Sequence, residues 1–336
     1  MSSVHFLNVG AGDCTLIRHN TGHDSLIDIC KGNLPVKKAA ELIENALEAK
    51  EERVRGNFGM SKCPTNPISY LKSLGIDSLF RFILTHPDMD HLDGFQNLLD
   101  AFTVTNFWHT GVERTPPTFE TGQYNEEDWD AYISMVGGIL SGTKVLSYLA
   151  GSKFKYANVA DNPGDGTDGL YILAPDKNLV RAAIDSDDMN DSSYVLLYRS
   201  VGGKILIPGD AHDETWDYVL EHYEEEVADC AVLFAPHHGR DSGLDFRFLD
   251  TVRPKITFFG CASSGHLAYD EWRNRELRVI TNNQAGNIVL ECQNQEIDIY
   301  IENENFADST DRDLDDVNGQ GYVYYDTIEQ MPKKVQ

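Results

Sequence analysis

The segment THPDMDHLDG places His86, Asp88, Asp90 and His91 within six residues, directly behind the apolar run LFRFIL. Imidazole and carboxylate together suit borderline-to-hard divalent cations such as zinc and manganese. A lone Asp in such a turn reads equally well as a helix N-cap. Four candidate ligands in one turn read as a metal loop. KILIPGD ends in Asp210 behind Gly209, where the backbone can pass closely and one carboxylate can bridge two cations. VLFAPHHG leaves His237 and His238 at another exit, and CASSGHL puts His266 in a further loop. A metal would give these separated segments a common purpose. Paired cations about 3.5–4 Å apart match in-line displacement at phosphorus, and such a site lowers the pKa of a bound water from about 15.7 towards ~7.

Residues of this kind need strand ends to hold them. VHFLNV, CTLIRH and SLIDIC are short apolar runs separated by Gly, Asp and Asn, which predicts strands joined by tight turns. Helical spacing of apolar residues predicts a helix over 36–52, and SYLKSLG a short one closed by Gly75. LFRFILT is the strand that carries the metal loop. FQNLLDAF reads as a helix, VTNFWHT as a strand, 111–125 as a Pro- and Thr-rich lid or insertion, and EEDWDAYISMVGGILSG as a helix. After a turn-rich connection over 157–169 come the strands GLYILAP, SSYVLLYRS, GKILIPGD, CAVLFAPHHG, KITFFGC, RVITNN, GNIVLEC and EIDIYIE, with the helix DETWDYVLEHYEEE between two of them. The expectation is one layered α/β domain over 1–302 and an acidic tail over 303–336, within which GYVYYDTI is a candidate edge strand. No repeat of 20–50 residues is visible.

Composition narrows the classes. An apolar fraction of 41% over 336 residues supports a sizeable core and argues against global disorder. With 28 basic against 54 acidic residues the net charge is −26, so a broad positive surface for a polyphosphate is not expected, while a local basic patch remains open. The six cysteines form no CxxC pair and read as scattered reduced thiols. The opening MSSVHFLNVGAGD has no charged-then-apolar leader, and no apolar run approaches the ~20 residues of a membrane helix. A cytoplasmic protein without a membrane partner is expected.

Taken in order, the motifs resemble those of metallo-β-lactamase-fold hydrolases, and specifically the hydrolase domain of ComEC-type competence proteins and their stand-alone relatives. FLNVGAGDCTLI resembles the opening strand and GxGD turn, and SLIDIC the strand ending in Asp. THPDMDHLDG resembles the HxHxDH signature with Asp88 at the second His. MNDSSYVLLY, ILIPGD and APHHG follow in the family's order, and SSGHL resembles its GHP motif with Leu267 for Pro. The resemblance implies an α/β fold, a four-layer αββα sandwich with one or two metals at one sheet edge. It implies His86 and Asp88 for a first cation, Asp90, His91 and His237 for a second, and Asp210 as the bridge. MNDSS offers Asn190, Asp191 or Ser192 where the superfamily has a third-motif His. Asp13 and Asp28 would orient ligands, and His238 would tune the site through a hydrogen bond. A first site poor in nitrogen shifts the expected ion from zinc towards manganese or magnesium.

The activity this implies is phosphodiester hydrolysis, with a nuclease acting on DNA as the first reading. Asp90, His266 and Arg240 are the candidate catalytic residues, the last two as phosphate or leaving-group contacts. Arg240 reads equally as a solvated surface charge. The alternatives are a hydrolase of a small phosphoester, cyclic nucleotide or lactone, and a metal-binding effector module gated by a regulatory protein partner. Net charge favours the small substrate, and the motif set favours the nucleic acid.

Overall fold

A computed structural model describes residues 1–34, 58–162, 165–262 and 266–329. The helix expected over 36–52 lies outside the described residues. Strands β1 (Ser2–Phe6), β2 (Thr15–Arg18), β3 (Asp24–Ile27), β4 (Ser78–Ile83), β5 (Thr103–His109) and β6 (Lys144–Ser147) open the chain. A second group follows: β7 (Leu170–Ala174), β8 (Val195–Arg199), β9 (Lys204–Ile207), β10 (Val232–Phe234), β11 (Ile256–Phe259) and β12 (Val279–Thr281). Finally β13 (Ile288–Gln293), β14 (Glu296–Ile301) and β15 (Val323–Glu329) return to the first sheet. The sheet orders are β15-β14-β13-β1-β2-β3-β4-β5-β6 and β12-β11-β10-β9-β8-β7.

Period-two alternation builds the layers. In β3, Ile27 faces the other sheet and Leu26 faces outward; in β4 the same holds for Ile83 and Phe82. The inner faces meet in one core where Phe6 stacks on Phe234 at 4.5 Å between ring centroids. Outside the first sheet lie α1 (Pro67–Ser73), α2 (Phe95–Ala101) and α3 (Glu126–Val136), which bury Leu71, Phe95, Leu98, Trp129 and Met135 on Phe82 and Phe107. Outside the second lie α4 (Lys177–Ser186), α5 (Asp213–Val227), α6 (Phe248–Val252) and α7 (Tyr269–Arg273), whose Trp216, Phe248 and Trp272 cover Leu206, Leu233 and Phe259. The arrangement is a four-layer αββα sandwich. Among the described residues no helix is long and apolar enough to cross a membrane.

Two local expectations change. The helix α4 has a clear cap, since Asp176 accepts from the backbone N–H of Asn178 and Leu179, both at 2.9 Å. Only Leu179 and Ala183 are buried along it, and no helix was expected over 177–186. The boundary at 302 does not end the fold. The short helix α8 (Asn282–Ala285) leads into β13, and α9 (Glu304–Ser309) precedes the edge strand β15, which pairs with β14 from Ile301↔Val323 to Glu296↔Glu329. Val323, Tyr325 and Ile328 enter the inter-sheet core, so the segment read as a tail contains, through GYVYYDTI, the sheet's last strand.

Candidate metal centre

Parallel strands bring their C-terminal ends to one edge, and both sheets supply such ends here. β3 and β4 run parallel in the first sheet, as do β9 and β10 in the second. Beyond the strands, Asp28 N–H donates to Ile83 O at 2.9 Å and Ile29 N–H to His91 O at 3.1 Å, which locks the two exits side by side. A 3₁₀ turn at Met89–His91 then swings the loop back, with His91 N–H on Asp88 O at 3.0 Å. At Gly209, φ is +54° and a Cβ would stand 2.9 Å from that of Thr85, so the Gly-Asp pair lets the second sheet's exit press against the first.

Ligand-type atoms of Asp90, His91, Asp210 and His238 all lie within 4.8 Å of one another. His91 Nε2 is 3.4 Å from Asp210 Oδ1, and His238 Nε2 is 3.3 Å from Asp90 Oδ2 and 3.5 Å from Asp210 Oδ2. The far side of each ring is held by another carboxylate: His91 Nδ1 meets Asp28 Oδ2 at 2.8 Å, and His238 Nδ1 meets Asp13 Oδ1 at 3.0 Å. Asp13 and Asp28 thus stand where orienting residues are expected. His86 Nδ1 lies 3.2 Å from the hydroxyls of both Thr85 and Ser193. Thr85 also bonds Asp28 through its N–H and its hydroxyl, at 2.8 and 2.7 Å.

Burial and charge oppose one another at every member. Burial disfavours protonated His91 and His238, yet the surrounding carboxylates, Asp210 foremost, raise both well above the ordinary imidazole range. Burial likewise works against ionised Asp90 and Asp210, but the two imidazoles hold both below the usual carboxylate range. His86, buried and beside His91, is lowered well below the ordinary imidazole value. The carboxylates thus favour protonated imidazoles here, and a cation bound through those nitrogens would compete with their protons. The residues fit a divalent ion for a further reason. His86 Nε2, His91 Nε2 and Asp210 Oδ1 are buried without a hydrogen-bond partner among the described residues, although such groups nearly always find one.

The HisHis pair is the main correction. His237 was expected as the ligand and His238 as its support, but it is His238 that stands in the cluster of four. Both residues are left-handed, with φ of 51° and 58°. His237 Nε2 remains 3.7 Å from Asp210 Oδ2, while its Nδ1 meets Ser242 Oγ at 2.8 Å and His212 Nε2 at 3.2 Å. Ser192 turns away to the carbonyl of Met189, and the neighbouring Ser193 takes the place beside His86. Asp191 belongs to a separate group with Asp188 and His212 on the rim, where burial pushes its carboxyl up to about 6 against the pull of His212. Asn190 Nδ2 reaches His212 Nε2 at 3.3 Å. The His266 side chain is exposed, and its carbonyl accepts from Asp241 N–H at 2.8 Å, so backbone rather than imidazole defines its place. Arg240 pairs with Leu267 in a short antiparallel bridge. The His266 imidazole is not among the four clustered residues.

Asp88 is ion-paired with Arg114, which also donates to Pro87 O at 2.9 Å. Burial pushes the Asp88 carboxyl up to about 6 despite that guanidinium. Arg114, Thr85, Ser193 and His212 were not singled out by sequence. Thr85 and Ser193 adjoin motif residues, and His212 lies two residues past Asp210. Arg114 sits in the insertion with no local signal of its own.

No family model matches the chain. ComE operon protein 3 of Bacillus subtilis (strain 168) is 23% identical over 235 residues, which cover 68% of this chain and 26% of that protein. The chain thus spans about a quarter of the length of this curated relative. Among solved structures, one described as a metal-dependent hydrolase of the β-lactamase superfamily is 11% identical, with a TM-score of 0.45, over 84% of this chain and 96% of that one. One described as a diphosphatase of the PhnP family is 12% identical, with a TM-score of 0.38, over 87% and 98%. The four layers, the motif order and the gathering of strand exits at one edge decide the architecture. It is a four-layer αββα sandwich with the strand exits of both sheets at one edge.

Proposed function

We propose that the chain is a metal-dependent hydrolase that cleaves phosphodiesters. The observation that carries this reading is the gathering of Asp90, His91, Asp210 and His238, whose ligand-type atoms lie within 4.8 Å of one another, with the buried His86 Nε2 left without a hydrogen-bond partner 3.8 Å from Asp88 Oδ2. Asp90, His91, His238 and Asp210 would hold one cation, and His86, Asp88 and Asp210 a second. Such ions lower the pKa of a water and polarise the attacked phosphoryl oxygen. The chain's own residues supply the orientation. Asp28 and Asp13 accept at the Nδ1 sides of His91 and His238, so both Nε2 atoms face the cleft. Thr85 and Ser193 do the same for His86. Oxygen donors dominate the second set, which favours manganese or magnesium over zinc.

A nucleic-acid phosphodiester is the substrate class that the motif resemblance favours. The net charge of −26 is the observation that favours a small diester, such as a cyclic nucleotide, because bulk acidity repels a long polyanion. The test is a chelated protein reloaded separately with manganese, magnesium, zinc or cobalt. Each form is assayed on linear, circular and single-stranded DNA, RNA, cyclic nucleotides and a chromogenic phosphodiester. Manganese is expected to restore the highest rate. Failure of every ion to restore cleavage of any diester would overturn the reading.

A further inference from the structure

The loop after β5 sends one cation into the metal-centre turn. Arg114 Nη1 donates to Pro87 O and pairs with Asp88 Oδ1, while Asp88 Oδ2 lies 3.8 Å from the unpartnered His86 Nε2. One carboxylate therefore faces a guanidinium on one side and a candidate ligand nitrogen on the other. The pair stands at the mouth of the site: the side chains of Arg114 and Asp88 are 24% and 30% exposed, whereas that of His86 is sealed. A divalent ion attracts a carboxylate about twice as strongly as a guanidinium at equal distance and dielectric. A cation taken up beside His86 would thus draw Asp88 away and leave Arg114 held only by the Pro87 carbonyl. The freed guanidinium would point a planar fork of donors at the entrance of an acidic cleft, and that fork matches phosphate oxygens.

We propose that Arg114 is the phosphate anchor of this centre, masked by Asp88 in the metal-free protein and released when a cation takes that carboxylate. The proposal rests on the hydrolase reading above and assigns the residue that binds a non-bridging oxygen of the substrate. It also gives the insertion over 111–125 a task, since the anchor is delivered by that loop rather than by a strand end.

Arg114 would then have opposite effects on two ligands, and this separates anchoring from a structural role. Manganese(II) binding is measured calorimetrically for wild type, Arg114→Ala and Arg114→Lys, and inorganic phosphate binding is then measured on each manganese-loaded protein. Loss of a partly exposed competing ion pair should tighten manganese binding in Arg114→Ala by about two- to fivefold. Loss of charge-assisted hydrogen bonds should weaken phosphate by about ten- to a hundredfold. Arg114→Lys, which keeps the charge without the fork, should fall between. With a chromogenic diester the loss in Arg114→Ala should appear chiefly in KM. Weaker or unchanged manganese binding in Arg114→Ala, or unchanged phosphate binding, would overturn the assignment while leaving the hydrolase reading intact. A wild-type protein that binds no manganese would remove both.

Discussion

The two ends of the β3–β4 pair carry the same residue types in opposite states of completion. At the N-terminal end, Arg81 donates to Ser25 Oγ at 2.9 Å and to Asp168 Oδ2 at 2.6 Å. Asp168 also accepts from Thr21 and lies 3.0 Å from His23 Nδ1, and His19 bridges Ser25 Oγ and Asp168 O at 2.8 and 2.9 Å. Of this group's atoms Arg81 Nε is left over, in a guanidinium lying over Phe80 and Trp108. At the C-terminal end His86 Nε2, His91 Nε2 and Asp210 Oδ1 are left without hydrogen bonds, the last two 3.4 Å apart. The difference is where the positive charge comes from. Arg81 is a built-in cation for Asp168, so burial can take His19 down to about 3 even though Asp168 opposes it. At the other end no guanidinium among the described residues pairs with Asp210, which faces the imidazoles of His91 and His238 instead. A completed cluster is a staple, whereas one without a built-in cation is a candidate site for a metal.

The sharpest way to break this contrast is at Asp210. Asp210→Asn, or His91→Ala, should lower manganese-supported hydrolysis by about a thousandfold or more while circular dichroism stays that of the wild type. Full activity in either variant would end the assignment of the centre. The reverse pattern is expected from Arg81→Met. It strands the buried Asp168 carboxylate and should remove about 3–5 kcal/mol of stability, read from urea unfolding, with manganese stoichiometry per folded molecule unchanged. Loss of metal with stability retained would show that the two ends are not separate.

Smaller effects test the orienting residues. Asp28→Asn should weaken manganese binding by about ten- to a hundredfold, because His91 Nδ1 loses its charged partner. Asp13→Asn should do less, since the Asp13 side chain is 18% exposed against 1% for Asp28. An equal or reversed order would mean that His238 rather than His91 dominates. The smallest effect is in acid. Burial opposes ionisation of Asp168, but Arg81 overcomes it and holds the carboxyl below the usual range. A depressed carboxyl contributes stability that is complete above its unfolded pKa of about 3.9 and is lost as pH falls through the lower folded value. Urea midpoints should therefore fall more steeply below about pH 4 in the wild type than in Asp168→Asn. Parallel slopes would remove Asp168 from the account.

Sequence alone determined the layers and the kind of chemistry. Two-residue alternation is local, so the strands from VHFLNV to EIDIYIE could be read off, and β6 was missed because Val145 and Leu146 in KVLS are only half buried. The ligand types were legible because a metal loop concentrates His86, Asp88, Asp90 and His91 in one turn, and because Asp210 and the HisHis pair follow strands. Only the tertiary structure decided which atoms meet. That His238 stands in the cluster of four while His237 Nε2 lies 3.7 Å from Asp210 is a matter of long-range contact, and both residues have left-handed φ, which no periodicity encodes. Ser193 reaches His86 across 107 positions of chain, and Arg114 reaches Asp88 across 26. The edge strand β15 was legible as the candidate GYVYYDTI, but only the tertiary structure shows Val323, Tyr325 and Ile328 entering the inter-sheet core. Residue type and spacing report what a local segment can do; long-range contacts and the hand of a turn determine which partner it does it with.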